Sequence, residues 1–182
     1  MKLKEEKISN KNVYEGMILK VENAEVKCPN GNIATREIVR HTPGAAVLAI
    51  TNDNKIILER QFRYAFAEIL YEIPAGKQEE GENPFDIAKR ELEEETGYFA
   101  NSMELLGKIY PTCGYCDEII YLYLAKDLVM KEKHWDENEF IELEYVTLEE
   151  MKQMILDGTI VDAKTVCALE LYLLRGNKQW FG

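Results

Sequence analysis

The sequence predicts an α+β or mixed fold: a strand-rich core with helical cover. Three observations carry that expectation. Short apolar or alternating segments recur from residue 13 to residue 146, separated by turn residues. Helical spacing shows in only three places, at 84–96, 148–156 and 161–174. The length of 182 residues, 46% of them hydrophobic and 30% charged, suits one globular domain or a domain with a small appendage, and excludes a disordered or fibrous chain.

The elements follow in order. Val13–Lys27 alternates as strands, with Met17, Leu19 and Val21 set against Lys20 and Glu22. Pro29-Asn-Gly31 is a turn, Ile33–His41 resumes an extended pattern, and Thr42-Pro43-Gly44 breaks it. Ala45–Thr51 and Lys55–Phe62 read as a hairpin around Asn52-Asp-Asn54. Leu70–Ile73 is a short apolar strand ahead of Pro74-Ala-Gly76. Pro84 suits the first turn of a helix, where its missing N–H costs nothing, and Gly97 suits the residue that ends it. Phe85, Ala88, Leu92 and Thr96 then share one stripe, expected to face the core. Met103–Tyr110, Ile119–Ala125 and Phe140–Val146 are further strands, followed by helices at Leu148–Leu156 and Val161–Leu174, the latter striped by Val166, Leu169 and Leu173.

The net charge is −11, from 33 acidic and 22 basic residues, which argues against a general affinity for nucleic acid or anionic membranes. No apolar run approaches the ~20 residues a bilayer span needs. The charged start, Met1-Lys-Leu-Lys-Glu-Glu-Lys7, has no apolar segment behind it, so no secretory signal is expected. The four cysteines then read as reduced thiols of a cytoplasmic protein. Cys113-Gly-Tyr-Cys116 has the form of a redox pair, but β-rich residues follow it and no second pair completes a zinc site, so a loop with two free thiols is expected. His41 and His134 suggest structural roles.

The acid is concentrated. Eight acidic residues and three basic ones lie between Gly76 and Tyr98. On a helix at 84–96, Glu91, Glu94 and Glu95 fall on one face, since residues three and four apart are neighbours. Such a face is either solvated or a site for hard cations. Its all-oxygen donors suit Mg²⁺ or Mn²⁺, which keep waters for substrate phosphates. Arg90 lies in the same arc and can hold a neighbouring carboxylate. As a permanently protonated group it cannot serve as a base.

Gly76, Glu82 and Arg90-Glu91-Leu92-Glu93-Glu94-Glu95-Thr96-Gly97-Tyr98 have the spacing G-x5-E-x7-R-E-U-x-E-E-x-G-U, with U a bulky apolar residue. This resembles the Nudix box at every fixed position, with Tyr98 a mild departure at the last. Arg36-Glu-Ile-Val-Arg-His41, Gly44-Ala-Ala-Val-Leu-Ala, Arg60-Gln-Phe-Arg63, Glu72-Ile-Pro-Ala-Gly76, Asp136-Glu-Asn-Glu-Phe-Ile-Glu142 and Asp162-Ala-Lys-Thr165 look like the ADP-ribose pyrophosphatase branch of that family. The resemblance covers about residues 5–175 and departs at Pro111-Thr-Cys-Gly-Tyr-Cys-Asp-Glu118, where the branch usually carries a Ser-Pro-Gly-Phe-type segment.

The resemblance implies a Nudix α/β/α sandwich with a mixed sheet at residues 44–182. A β-rich extension at residues 1–43 would build a homodimer. It implies that the Ala75 carbonyl, Glu91, Glu94 and Glu95 hold two or three Mg²⁺ or Mn²⁺ ions, with Glu94 a ligand or a partner of one. Gly76, Glu82, Arg90 and Gly97 would shape and orient the site. Arg36, Glu37, Arg63 and Tyr14 would contact substrate, and Glu137 or Glu139 from a distal loop would position or deprotonate the attacking water. The implied reaction is hydrolysis of the diphosphate of ADP-ribose to AMP and ribose 5-phosphate. GDP-mannose or another nucleoside diphosphate sugar is the alternative substrate. A Nudix-fold module that senses such a ligand without turnover is the alternative class, but binding-only relatives tend to lose a box glutamate and this chain keeps them all.

Overall fold

The computed structural model describes residues 3–131 and 140–176. Within these, strands and helices group into two units, Met1–Thr42 with Tyr110–Ile119, and Pro43–Ile109 with Ile120–Gly182.

The first unit is an antiparallel meander of β1 (Glu6–Glu15), β2 (Leu19–Lys27) and β3 (Ile33–His41). The stretch expected as strands from Val13 starts earlier and is divided at Gly16, whose N–H donates to the Leu19 carbonyl at 3.0 Å. Every side chain of β1 is exposed, so residues 6–12 carry no inside–outside alternation to read. The expected turn at Pro29-Asn-Gly31 forms: Gly31 takes a positive φ of 89°, and its N–H donates to the Cys28 carbonyl at 2.8 Å. The 110–119 segment belongs to this unit through its backbone. Val39 donates to the Tyr115 carbonyl at 2.7 Å, and Asp117 donates to the Val39 carbonyl at 3.1 Å.

The second unit holds two sheets. One has the order β7-β4-β9-β8, from β7 (Ala75–Lys77), β4 (Gly44–Ala49), β9 (Ile120–Met130) and β8 (Tyr98–Ile109). It is mixed, because β4 runs parallel to β9 and antiparallel to β7. The other has the order β10-β5-β6, from β10 (Ile141–Val146), β5 (Ile56–Arg63) and β6 (Glu68–Glu72). The expected hairpin of Ala45–Thr51 with Lys55–Phe62 does not form a ladder. Its turn closes, with Thr51 donating to the Lys55 carbonyl at 2.8 Å, and one bridge joins Ile50 to Ile56. Beyond that the strands part, because other strands take both edges of each: β7 and β9 flank β4, while β10 and β6 flank β5.

Among the described residues three helices cover the strands of this unit: α1 (Pro84–Thr96), α2 (Leu148–Leu156) and α3 (Ala163–Gly176). The period of two along β4 assigns its faces. Ala46 and Leu48 pack with Met151 of α2 and with Ala168 and Leu169 of α3. Ala45, Val47 and Ala49 pack with Ile87, Ala88 and Leu92 of α1. Helices on both faces of a mixed sheet are the expected α/β/α sandwich. No helix among the described residues is long and apolar enough to cross a membrane.

Local chemistry sets α1. The Asn83 side chain caps its start by accepting from the N–H groups of Phe85 at 3.0 Å and Asp86 at 3.2 Å, with Pro84 at the first position. Gly97 ends it in the left-handed region at φ 76°, donating to the Glu93 carbonyl at 2.9 Å. The buried side is Ile87, Ala88, Glu91, Leu92, Glu95 and Thr96. Phe85, expected in that stripe, is exposed and stands edge-on to Tyr123 at 6.0 Å between ring centres; Ile87, one turn along the apolar face from Glu91, takes the buried place. Gly97 also turns the chain directly into β8 at Tyr98, five residues ahead of the expected Met103. At α3 the expected start at Val161 moves to Ala163, since the Asp162 carboxylate accepts from the Thr165 N–H at 3.0 Å and Val161 stays exposed.

Candidate active site

The corner where β7 meets α1 gathers the box residues. The register of β7 on β4 sets Ala75 opposite Ala46 and Gly76 opposite Ala45. Glu91 and Glu95, one turn apart on the inward side of α1, face that strand and are only 9% and 6% exposed. Glu95 Oε2 accepts from the Ala75 N–H at 2.9 Å. Gly76 is a steric requirement, since a Cβ there would stand 1.7 Å from Glu91 Oε1. Gly44 is similar, with a Cβ 2.8 Å from the Gly76 carbonyl oxygen. The two glycines therefore let a buried carboxylate lie directly against the strand.

Arg90 binds three carboxylates at once. Its Nε and Nη2 donate to the two oxygens of Glu82 at 2.8 and 3.0 Å. Its Nη1 donates to Glu91 Oε1 at 2.9 Å and to Glu94 Oε2 at 3.0 Å, and Nη2 also reaches the Lys77 carbonyl at 3.1 Å. A guanidinium fork suits this bidentate duty. The hydrogen bonds from Arg90 hold the Glu82 carboxyl down at about 2, and those to Glu82 raise the Arg90 guanidinium further above its ordinary value. Glu94 lies half exposed, and Glu93, read as solvated, pairs with Lys131 at 3.2 Å on the outer side. Glu82, Asp86, Arg90, Glu94, Lys89 and Lys131 are among the residues lining a cavity of about 750 Å³.

The donor set fits a hard divalent cation. Glu91 and Glu95 offer buried carboxylate oxygens, the donors a hard cation prefers, beside a strand position where a side chain would not fit. Among the described residues no three His, Cys, Asp or Glu side chains already form a ready-made metal cluster, and Arg90 bridges Glu91 and Glu94. Glu137 and Glu139, expected to carry the base, lie outside the described residues, as does His134.

A charged layer is buried in the same unit. Arg63, expected to touch substrate, forks Glu72 through Nε at 2.6 Å and Nη2 at 2.9 Å. Lys164 of α3 pairs with Glu72 and, at 3.1 Å, with Asp162. Thr165 accepts from the Ile73 N–H at 2.9 Å and donates to Asp162 at 2.6 Å. Burial pushes the Glu72 carboxyl up, but the hydrogen bonds from Arg63 and the charge of Lys164 outweigh it and hold the group down at about 2. Across the β5–β6 ladder Glu59 stands directly opposite Glu72. Burial pushes Glu59 up to about 8, against a hydrogen bond with Glu95 and the charge of Lys164. Sequence reasoning passed over Glu59; its one signal was an acidic residue closing the apolar run Ile56-Ile57-Leu58.

The remaining expected residues lie in the N-terminal unit. Arg36 donates through Nε to Glu5 Oε2 at 3.1 Å, with Nη2 on the other oxygen of Glu5 and near Cys28 Sγ at 3.9 Å. Arg36 and Glu37 line a cavity of about 620 Å³ with Thr35, Ile38, Gly114 and Tyr115. Tyr14 is exposed on β1, its ring so close over Gly16 that a Cβ there would stand 2.7 Å from the phenol oxygen. All four cysteines are free thiols, in line with the reading of Cys113 and Cys116. His41, for which no partner was expected, has Nδ1 within 2.7 Å of the Thr42 carbonyl and 3.5 Å of Glu118.

Comparison with known proteins defines the class. A family model described as NUDIX domain matches residues 40–169, and the chain belongs to the Nudix family, whose hydrolases use divalent metal ions. It is a Nudix pyrophosphohydrolase. The chain is 46% identical over 177 residues to the methanol dehydrogenase activator of Bacillus methanolicus, covering 96% of each chain. It is 41% identical over 175 residues to the ADP-ribose pyrophosphatase of Bacillus subtilis strain 168, covering 95% of each. Its fold matches the crystal structure of an ADP compounds hydrolase with a TM-score of 0.87 at 24% identity, covering 97% of this chain and 96% of the other.

Proposed function

We propose that this protein hydrolyses the diphosphate bond of ADP-ribose to AMP and ribose 5-phosphate, using two to three Mg²⁺ or Mn²⁺ ions. The observation that carries the reading is the pair of buried carboxylates, Glu91 and Glu95, set against Ala75 and Gly76 where a side chain would not fit. The relative named ADP-ribose pyrophosphatase, similar over nearly the whole chain, supports the substrate.

Glu91, Glu95, Glu94 and the Ala75 carbonyl would hold the ions. Bound there, the ions would supply Lewis acidity toward the diphosphate and lower the pKa of water. The chain's own residues do the rest. Arg90 holds Glu91 and Glu94 in place, and the Ala75 N–H fixes Glu95. Glu137 or Glu139 would accept the proton of the attacking water, because a base needs a carboxylate not already engaged by cations. Arg36, Glu37 and Tyr14 would bind the nucleotide, and Arg63 would offer Nη1, which its fork on Glu72 leaves outside the clamp. Two guanidinium groups offset the repulsion between a −11 chain and an anionic substrate.

The same reading includes a homodimer built through the N-terminal strands. Ile8, Val13, Tyr14, Met17 and Ile18 are exposed along β1 and its turn, an apolar edge that calls for cover. Sedimentation at working concentration is expected to give twice the mass of 21.1 kDa; a stable monomer would remove the dimer. A cytoplasmic location accords with four free thiols. The acidic balance accords with a small-molecule substrate in place of nucleic acid or membrane.

The deciding experiment is a substrate panel with Mg²⁺: ADP-ribose, GDP-mannose, NADH, a diadenosine polyphosphate and 8-oxo-dGTP. ADP-ribose should give the highest kcat/KM, and reaction in ¹⁸O-labelled water should place the label on AMP. Faster turnover of GDP-mannose would move the assignment to that sugar. No turnover of any nucleoside diphosphate sugar would remove it. The 46% identity to a methanol dehydrogenase activator favours a second reading, in which this hydrolase raises the rate of an alcohol dehydrogenase. A dehydrogenase assay with and without the protein, and with Glu95→Gln in its place, tests that reading directly.

A further inference from the structure

Cys113 and Cys116 take no part in the hydrolysis reading. They lie in the 110–119 segment of the N-terminal unit, and both are free thiols. Strand residues follow them in place of the helix that usually carries a redox pair. The backbone nonetheless supplies a helical turn. The Thr112 carbonyl accepts from the Tyr115 N–H at 3.2 Å and from the Cys116 N–H at 3.0 Å. In such a turn, Cα atoms three residues apart stand about 5 Å from each other. That lies inside the window of about 4.4–6.8 Å that a disulfide needs. Among the described residues no third His, Cys, Asp or Glu joins the two thiols in a metal cluster.

The two thiols differ in access and in anchoring. Cys113 is exposed and Cys116 half-buried. Cys116 is bridged to Val39 of β3, whose N–H donates to the Tyr115 carbonyl at 2.7 Å, and Asp117 donates back to the Val39 carbonyl at 3.1 Å. The Asp117 carboxylate also accepts from Arg40 at 3.0 Å and from the His41 N–H at 2.9 Å. The Cys116 end is therefore tied to the sheet, and the Cys113 end joins it through the turn. Between them stand Gly114 and Tyr115, which line the cavity of about 620 Å³ with Arg36 and Glu37. A bond across the turn would clamp those two residues against β3.

We propose that Cys113 and Cys116 are a redox site: a small-molecule disulfide oxidises the pair, and the bond so formed holds Gly114 and Tyr115 in the shape that receives the nucleotide. The exposed Cys113 thiolate attacks one sulfur of the small disulfide and expels the other as a thiolate, leaving a mixed disulfide. The Cys116 thiolate then attacks Cys113 Sγ and expels the second small thiolate. The pair gives up two electrons and two protons, and the small disulfide leaves as two thiols. In a reducing compartment such a bond is transient and serves sensing in place of structure. The coupling to catalysis rests on the reading of Arg36 and Glu37 as nucleotide contacts. Ordering the turn in advance removes an entropic cost otherwise met on binding, so the oxidised protein should have a KM for ADP-ribose about fivefold lower at unchanged kcat.

The test equilibrates the protein with glutathione and glutathione disulfide at stepped ratios. Intact mass and peptide mapping follow the bond, and steady-state kinetics with ADP-ribose and Mg²⁺ follow its effect. Oxidation should remove two hydrogens, map to Cys113–Cys116, lower KM and reverse fully with dithiothreitol. Cys113→Ser, at an exposed position, should fold as the parent does, keep the KM of the reduced parent and show no kinetic response to glutathione disulfide. A stable glutathione adduct without the internal bond, a bond that maps to Cys28 or Cys167, or an unchanged KM in the bonded protein would overturn the proposal. Arg36→Ala is run beside them. If it leaves KM at the parent value, the nucleotide-contact reading falls and the coupling with it; if it raises KM while oxidation of the parent does not lower it, this inference alone falls.

Discussion

Two arginine clamps show how differently the two units are built. At the α1 corner, Arg90 gathers Glu82, Glu91 and Glu94 and reaches a backbone carbonyl, in a setting where Gly76 makes room and Glu95 is pinned by Ala75. In the N-terminal sheet, Arg36 takes one carboxylate, Glu5, at an open surface. Exposed ion pairs contribute about 0–1 kcal/mol and yield readily to a competing anion. A partly buried network is held by several bonds and by the shape of its surroundings. The corner thus has the character of a preorganised reaction centre, and the sheet that of a surface whose charges can be handed to a ligand.

The largest expected effect breaks the corner. Glu91→Gln and Glu95→Gln should each lower kcat by several orders of magnitude, and EDTA should abolish activity that Mg²⁺ or Mn²⁺ restores. Glu93→Gln should change kcat little, because Glu93 faces Lys131 on the outer side. Equal damage from Glu93→Gln and Glu95→Gln, measured at saturating Mg²⁺, would show that the wrong face of α1 has been chosen.

Next in size is the space beside Glu91. A methyl group at Gly76 would overlap its carboxylate, so Glu91 must leave or the strand must shift. A displacement near 1 Å in a positioned group costs about 10²-fold in rate. Gly76→Ala should lose about that factor in kcat while keeping its circular dichroism spectrum. Parental activity would mean that Glu91 does not work from the position seen here.

The same contrast explains what could be read from the sequence. The box residues lie on one helix and the strand before it, so local spacing alone puts Glu91, Glu94 and Glu95 on one side of α1 and Gly97 at its end. A continuous apolar run likewise gave away β4, buried on both faces. Pairing between distant segments leaves no such mark. Nothing in Ala45–Thr51 or Lys55–Phe62 says that β9, β7, β10 and β6 will occupy their edges in place of a hairpin ladder. Residues 6–12 hide β1 because an exposed edge strand needs no apolar face. Glu59 meets Glu72 only through the pairing of β5 with β6, which is why the pattern of its own strand was silent about it.

A moderate effect sharpens the comparison from the sheet side. If Arg36 serves only to bind the anion, Arg36→Ala should raise KM for ADP-ribose about tenfold and leave kcat within about twofold, the signature of lost uniform binding. Removing it also releases Glu5, so Arg36→Ala with Glu5→Ala should show a KM no higher than the single variant. A fall in kcat with KM unchanged would place Arg36 in the chemistry and erase the distinction drawn between the two clamps.

The smallest effect is on stability and its dependence on pH, and it separates the two carboxyls that face each other across β5 and β6. Glu72 is held down at about 2 from an ordinary 4.5, so its contribution is fully present above 4.5 and is lost only as pH falls through about 2. Between pH 5 and pH 8 it contributes no slope. Glu59 has the opposite sign. Its carboxyl is pushed up to about 8, so between 4.5 and 8 the folded protein holds a proton that the unfolded chain has released. Stability must therefore fall as pH rises through that window, by at most about 1.4 kcal/mol per pH unit for one fully exchanged proton. Glu59→Leu removes that proton from the balance. Without divalent ions, its urea midpoint should exceed the parent's by a margin that widens from pH 5 to pH 8. A constant margin across that range would mean that Glu59 is ionised in the folded protein.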